Sequence, residues 1–313
     1  PAEHANIKNS AVPINFGAAL NFTAFEVVDV KLPQCEIFSK TVAQEILFVT
    51  GGKAPSIDWF NKVAGGRKIF CVDKGIEICR ACEIVPNFLI GDFDSASNYA
   101  VEWTRKKNIP VEQYPSDKDL TDTQLALNRA AEIFGEHVAI LTGAFGGRFD
   151  HLYSTIFTCA ALNRKIFLAD EREIIFYLRG GESTEIKFFK EPLAVSLLPI
   201  TKICAGVETK NLHWELRAAT LTQTFPNAVS NRADSDEIFI GVESGGHSSD
   251  DQIQFKQRHH SVVNILIHRR SLFKRFTKRG YNCVSDTVNG SKFLKIQWVH
   301  CDYIHIPYRS GKV

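Results

Sequence analysis

Methionine is absent from all 313 residues, an unusual gap in a chain whose usage is otherwise ordinary, with 44% hydrophobic and 23% charged side chains. Also missing is any apolar run near the roughly 20 residues that a membrane-spanning helix needs, so no membrane partner is expected. Neither charge sign dominates: 37 Lys and Arg face 35 Asp and Glu, and the net +2 removes any general electrostatic case for nucleic acid as a partner. The opening PAEHANIKNSAVPINF has no basic segment leading into an apolar one, and a cytoplasmic location is the expectation. A second CxxC, or an HxxxH at matching spacing, is lacking too. Cys79-Arg-Ala-Cys82 therefore reads as two thiols on one helix turn and not as half of a zinc site. The eight cysteines are scattered, several inside apolar runs such as KIFCVD and TKICAGV, which suits buried thiols in reducing surroundings better than a disulfide framework.

What is present is a strong alternation. From residue 45, EILFVTGG, RKIFCVDKG, NFLIGDFDS, VEQYP, HVAILTG and KIFLAD read as strands, mostly continuous in apolar character, as strands covered on both faces are. Between them PSIDWFNKVAG, SNYAVEWTRKKN, TDTQLALNRAAEIFG and DHLYSTIFTCAALNR have the length of crossover helices. The sum at 45–182 is an α/β domain with a three-layer, largely parallel sheet. After EIIFYLRGGES the segments TEIKFF, LAVSLLPI, ICAGVET, LHWELRAATL and EIFIGVES predict a small all-β, sandwich-like domain at 183–245. Residues 1–44 form an N-terminal extension and 246–313 a tail, neither with an assigned role. The tail opens on the polar linker GGHSSDDQIQFKQRHH and continues into basic RRSLFKRFTKRG, read as a solvated charged face and not as a nucleic-acid contact.

Three motifs carry chemistry. In LIGDFDS the alternation of a strand puts Asp92 and Asp94 on one face and turns Phe93 to the other. Two carboxylates at a strand end make a hard-oxygen site suited to Mg²⁺, an ion that shares its coordination with water and substrate phosphates. In DKDLTDTQLALNRAAEIF, Thr121 followed by Gln124 forms a capping-box pattern opening an amphipathic helix, with Leu125, Ala131 and Phe134 directed inward. Asp122 falls at the first helical position, where the helix dipole favours negative charge. Asp117 and Asp119, flanking Lys118, exceed that structural need and suit a site where Mg²⁺ and a polyphosphate lie, with Lys118 neutralising phosphate charge. In GAFGGRFDH the glycines, Gly146 and Gly147 among them, let backbone N–H groups approach phosphate, and Arg148 can fork onto it. The plainer reading of that loop is a glycine-rich turn with Asp150 as helix cap. Ligands of open α/β sheets sit beyond the carboxyl ends of the strands, where GDFDS and GAFGGR both fall. Together the motifs point to a Mg²⁺-dependent enzyme acting on a nucleoside triphosphate.

IGDFDS, DKDLTDTQLAL and GAFGGRFDH, in that order and followed by a β-rich segment, resemble the thiamine pyrophosphokinases (thiamine diphosphokinases) over about residues 46–243. GVETKNLHWEL and AVSN (Ala228–Asn231) are similar to the segments with which that family holds thiamine. The resemblance implies transfer of an intact diphosphate from ATP to the hydroxyethyl group of thiamine, giving thiamine diphosphate and AMP, with Mg²⁺ as cofactor and ATP as co-substrate. It implies Asp92, Asp94 and Asp122 as metal ligands, Arg148 and Asp150 with Gly146 and Gly147 in the nucleotide site, and Lys118 near the phosphates or thiamine. Trp214 would stack on a thiamine ring, Ser230 and Asn231 would hydrogen-bond the pyrimidine, and Asp94 or Asp119 would receive the hydroxyl proton. A homodimer is implied, with Trp214 serving the partner's site. One departure stands out: Asp73-Lys74-Gly75-Ile76 occupies the place of the family's Asp-Gly-Gly-Ala, keeping Asp73 at the site but adding a bulky cation. The competing reading is a Mg²⁺-dependent phosphohydrolase of nucleotides, using the acids as a two-metal site with water as nucleophile.

Overall fold

The computed structural model describes residues 30–38, 44–91, 96–243 and 262–269, together with the backbone of 284–288 and 291–295. Its first part is a short hairpin, β1 (Val30–Leu32) and β2 (Cys35–Ile37). The α/β alternation follows: β3 (Gln44–Val49), α1 (Ile57–Ala64), β4 (Lys68–Val72), α2 (Ile76–Ala81), β5 (Phe88–Gly91), α3 (Asn98–Lys106), β6 (Val111–Gln113), α4 (Asp122–Phe134), β7 (His137–Thr142), α5 (Phe149–Ala161) and β8 (Ile166–Ala169). The remaining strands of this unit are β9 (Glu173–Arg179), β10 (Ser183–Phe188), β11 (Pro192–Pro199), β12 (Ile203–Lys210), β13 (Ala219–Thr222), β14 (Glu237–Val242) and β15 (Val262–Arg269).

The main sheet runs β11-β15-β9-β8-β7-β3-β4-β5-β6, with every pairing from β8 to β6 parallel and the three beyond β8 antiparallel. This is the three-layer, largely parallel arrangement expected from the apolar runs. Its layers follow from strand alternation: Leu47 and Val49 face a core shared with Trp59 and Phe60 of α1, Cys79 of α2 and Ala100 of α3. Ile46 and Phe48 face the opposite core, built with α4 and α5. Both faces are covered, so neither set of alternate residues can be polar.

Helix α4 starts as its sequence demands. The Thr121 hydroxyl accepts from Gln124 N–H at 3.3 Å, and the Gln124 side-chain oxygen accepts from Thr121 N–H at 2.9 Å. Its buried row is Ala126, Leu127 and Ala130, not the expected Leu125, Ala131 and Phe134. Two alanines let the helix lie close on the sheet, and Leu125 and Phe134 flank that contact half-buried. On α2, Cys79 is buried with its sulfur 3.2 Å from that of Cys71, while Cys82 caps the helix end. Among the described residues no three His, Cys, Asp or Glu side chains gather around a common point.

The smaller sheet runs β1-β2-β10-β14-β12-β13, antiparallel throughout. Ile37, Ile186, Val207, Ile238 and Ile240 join the same apolar cluster as the α1–α3 face, so one core serves both sheets. Three features lay outside the sequence reading. The extension contributes β1 and β2, β11 belongs to the main sheet, and β15, within the tail, pairs with both β9 and β11. LHWELRAATL is a strand only from Ala219 onward; before it the chain turns through Asn211 (φ 63°) and Ala218 (φ 47°), a path that breaks regular pairing. A separate unit, from Arg270 on, contains the hairpin of β16 (Val284–Val288) and β17 (Ser291–Lys295). The polar linker and all of the basic stretch after Arg269 lie outside the described residues.

Candidate active site

The loops leaving the carboxyl ends of neighbouring strands meet in a cleft of about 580 Å³. In sheet order its wall is built by Gly143, Ala144, Gly147 and Arg148 after β7, Thr50-Gly51-Gly52 after β3, Asp73 and Lys74 after β4, and the Ser116–Thr123 segment after β6. Asp92 and Asp94, which come after β5 in the sequence, lie outside the described residues. His151 and Thr155 of α5 complete the lining.

The glycine loops after β7 and β3 are zipped together. Gly52 N–H donates to Gly143 O at 2.7 Å, Lys53 N–H to Phe145 O at 2.9 Å, and Thr50 N–H to Thr142 O at 2.8 Å. Gly143 is obligatory: it has φ +72°, and a Cβ there would lie 2.3 Å from Thr50 O. Gly147 lines the cleft, whereas Gly146 (φ +66°) packs under the Lys53 side chain. Arg148 caps α5 in extended conformation and turns its guanidinium back onto Asp150, with Nε to Oδ1 at 3.1 Å and a second contact from a terminal nitrogen to Oδ2. That pairing holds the Asp150 carboxyl below its ordinary range and raises the Arg148 guanidinium. Asp150 is in the first turn and not the cap: the extended Arg148 is the residue before the helix, and Asp150 Oδ1 accepts from the adjacent His151 N–H at 3.0 Å.

On the opposite wall Asp122 opens α4, and its Oδ1 lies 3.0 Å from the Lys118 ammonium. The ammonium donates to Pro115 O at 2.9 Å, and Asp122 Oδ1 itself is buried with no aligned hydrogen bond. A carboxylate has about four acceptor sites, so contact with one ammonium leaves capacity for a further cation. Asp119 is exposed on the cleft. Asp73 sits at φ +44°, and a Cβ on Gly91 would fall 1.7 Å from its Oδ1, so its carboxylate rests against the residue that precedes Asp92.

Trp214 does not line the cleft of its own chain. It is 61% exposed, and His213 meets its ring edge-on at 4.7 Å. Its backbone is gripped at both polar groups by one side chain: Asn231 Oδ1 accepts from Trp214 N–H at 3.1 Å, and Asn231 Nδ2 donates to Trp214 O at 2.7 Å. Asn231 in turn exchanges backbone hydrogen bonds with Val195 of β11 at 2.8 and 2.9 Å, and Ser230, at φ +57°, donates its N–H to Ser196 Oγ at 3.0 Å. Sequence reasoning passed over Thr50, Gly51, Gly52, Ser116, Thr123, His151 and Thr155 as cleft residues. The strand-end rule applied to EILFVTGG would have found the first three.

A parallel-sheet edge that gathers glycine loops, cations and carboxylates into one cleft defines an α/β enzyme that handles phosphate groups. Comparison with known proteins gives the narrower assignment. The family profile described as thiamin pyrophosphokinase, catalytic domain, matches residues 63–168, and the profile described as thiamin pyrophosphokinase, vitamin B1 binding domain, matches residues 183–245. The chain belongs to the thiamin pyrophosphokinase family. Thiamine pyrophosphokinase of Bacillus subtilis (strain 168) is 31% identical over 163 residues, 51% of this chain and 75% of the relative. The crystal structure of thiamine pyrophosphokinase from Bacillus subtilis superposes with a TM-score of 0.61 at 21% identity, covering 73% of this chain and all of that one. Yeast thiamin pyrophosphokinase gives a TM-score of 0.57 at 16% identity, covering 72% and 86%. These two likenesses establish the shared fold.

Proposed function

We propose that the chain transfers an intact diphosphate from ATP to the hydroxyl of thiamine, producing thiamine diphosphate and AMP. The observation that carries this reading is the cleft itself, where zipped glycine loops and Arg148 face the Asp122 carboxylate, one oxygen of which is buried beside the Lys118 ammonium, in a chain of this family.

A divalent cation fits the donor chemistry. Mg²⁺ takes one or two carboxylates and completes its shell with water and phosphate, so a full protein cage is not required. Asp122, with Asp92 and Asp94 from the end of β5, would hold it. When bound, it neutralises phosphate charge. The chain's own residues do the positioning: backbone N–H groups of the Gly143–Gly147 loop and the start of α5 receive phosphate oxygens, and Arg148 exchanges Asp150 for a phosphate fork. Asp73 borders the metal side of the nucleotide site, and Lys118 balances charge between Asp122 and the phosphates. Asp119, exposed on the cleft, is positioned to take the hydroxyl proton, a role it shares as candidate with Asp94. Trp214 offers an open aromatic face to the cationic thiazolium. Asn231 serves that contact by fixing the Trp214 backbone, which leaves Ser230 as the hydrogen-bonding group for the pyrimidine. Because Trp214 does not line its own cleft, the functional unit we propose is a homodimer in which it serves the partner's site. No helix among the described residues is long and apolar enough to cross a membrane; a cytoplasmic location remains part of the proposal.

The test is incubation with ATP and Mg²⁺, with and without thiamine. We expect AMP and thiamine diphosphate in equal amounts, both dependent on thiamine. Phosphate release that ignores thiamine and yields no AMP would replace this reading with the phosphohydrolase. A second expectation concerns Trp214→Ala, which should weaken thiamine binding about tenfold, the scale of a desolvated cation–π contact with its area burial. Calorimetric titration measures it, and the melting temperature should hold because the ring is exposed.

A further inference from the structure

Lys74 stands at the middle of the cleft's strand-end series. The order of strands β7, β3, β4, β5, β6 places the glycine loops on one side of the β4 end and the acid-rich Ser116–Thr123 segment on the other. A phosphate chain that reaches from the glycine loops to the Asp122 side must pass over Asp73 and Lys74. The backbone there is clamped. Gly75 leaves no room for a side chain, since a Cβ would fall 1.9 Å from Val49 O, and a Cβ on Gly51 would lie 3.3 Å from Lys74 Cβ. The turn Asp73–Gly75 is therefore packed down onto the end of β3, and the Lys74 stem leaves it along the cleft wall.

The other two lysine and arginine side chains that line the cleft are already engaged, Lys118 with Asp122 and Pro115 O, Arg148 with Asp150. Lys74 is exposed; its backbone oxygen accepts from Ile76 N–H, and its ammonium makes no hydrogen bond or ion pair with any described residue. A lysine in a polar cleft whose ammonium has no partner among the described residues can offer it to an anion, and here the glycine loops flank it on one side and the Ser116–Thr123 segment with Asp122 on the other.

We infer that Lys74 is a nucleotide-contacting residue that binds the polyphosphate of ATP directly, adding a cation to the centre of the site. The inference rests on the nucleotide reading proposed above. An ammonium–phosphate contact open to solvent contributes at the lower end of charge-assisted hydrogen bonds, about tenfold in affinity.

The experiment compares the full chain with Lys74→Gln and Lys74→Arg by calorimetric titration of ATP, inorganic tripolyphosphate and adenosine in the presence of Mg²⁺, with melting temperatures recorded in parallel. Lys74→Gln should weaken ATP and tripolyphosphate about tenfold and leave adenosine unchanged, Lys74→Arg should restore most of the loss, and the KM for thiamine should not move. Unchanged ATP affinity in Lys74→Gln, or equal weakening of ATP and adenosine, would overturn the assignment while leaving the nucleotide site in place. A wild-type chain that binds neither ATP nor tripolyphosphate would remove the nucleotide reading and this inference with it.

Discussion

Asp122→Asn should lower turnover about 100-fold or more, a loss of about 2.7 kcal/mol in transition-state stabilisation, while the protein stays folded. The substitution is isosteric, so packing at the start of α4 is preserved. What disappears is the negative charge on a buried oxygen that, among the described residues, has no aligned hydrogen bond and is balanced by the Lys118 ammonium 3.0 Å away. The stability cost is small by comparison. A first-turn carboxylate gains roughly 0.3–1 kcal/mol from the helix dipole, and the capping box formed by Thr121 and Gln124 remains. AMP formation measured across a Mg²⁺ titration separates the two roles. Loss of a metal-site carboxylate raises the Mg²⁺ concentration needed for half-maximal rate, whereas loss of a charge serving only the helix end would leave both that midpoint and turnover unchanged.

Gly143→Ala should be a strongly damaging single-methyl change at the site. The added Cβ would stand 2.3 Å from Thr50 O on a residue with φ +72°, so the two zipped loops must separate. The bonds at risk are Gly52 N–H to Gly143 O and Thr50 N–H to Thr142 O, at 2.7 and 2.8 Å. We expect a loss of about 3 kcal/mol, seen as a fall of roughly 6–12 °C in melting temperature, together with loss of nucleotide binding. Gly66→Ala provides the control. Gly66 has a similar φ of +76° but nothing within 4 Å of its Cβ position, so it registers backbone strain alone, about 1 kcal/mol. Equal effects from the two substitutions would show that contact between the loops contributes nothing.

The parts of the structure that were legible in the sequence are those set by neighbours along the chain. Continuous apolar runs of β3, β4, β7 and β8, the crossover helices between them and the Thr121–Gln124 cap all depend on local pattern. The cleft was legible to the extent that GAFGGR and DKDLTD end or follow strands of one sheet. Long-range pairing was not legible. VKL and CEI are three-residue strands; CEI lies beside β10, whose residues are about 150 positions away, VKL pairs with CEI, and no local rule announces them. VVNILIHR carries a clear strand pattern, yet nothing in it says that Asn264 will lie between Tyr177 and Leu198. The WEL segment failed for another reason. Its path is decided by a side chain, Asn231, gripping the Trp214 backbone from 17 positions away.

That last contact gives β15 a meaning in time as well as in space. Asn231 is bound to β11, and β11 joins the main sheet through β15, so the posture of Trp214 depends on a strand that ends at Arg269. As the chain is synthesised from its N-terminus, the parallel strands and the glycine loops can assemble first, with the facing edges of β9 and β11 left unpaired until β15 arrives. The cleft can therefore be in place on a nascent chain on which the posture of Trp214 has yet to be set.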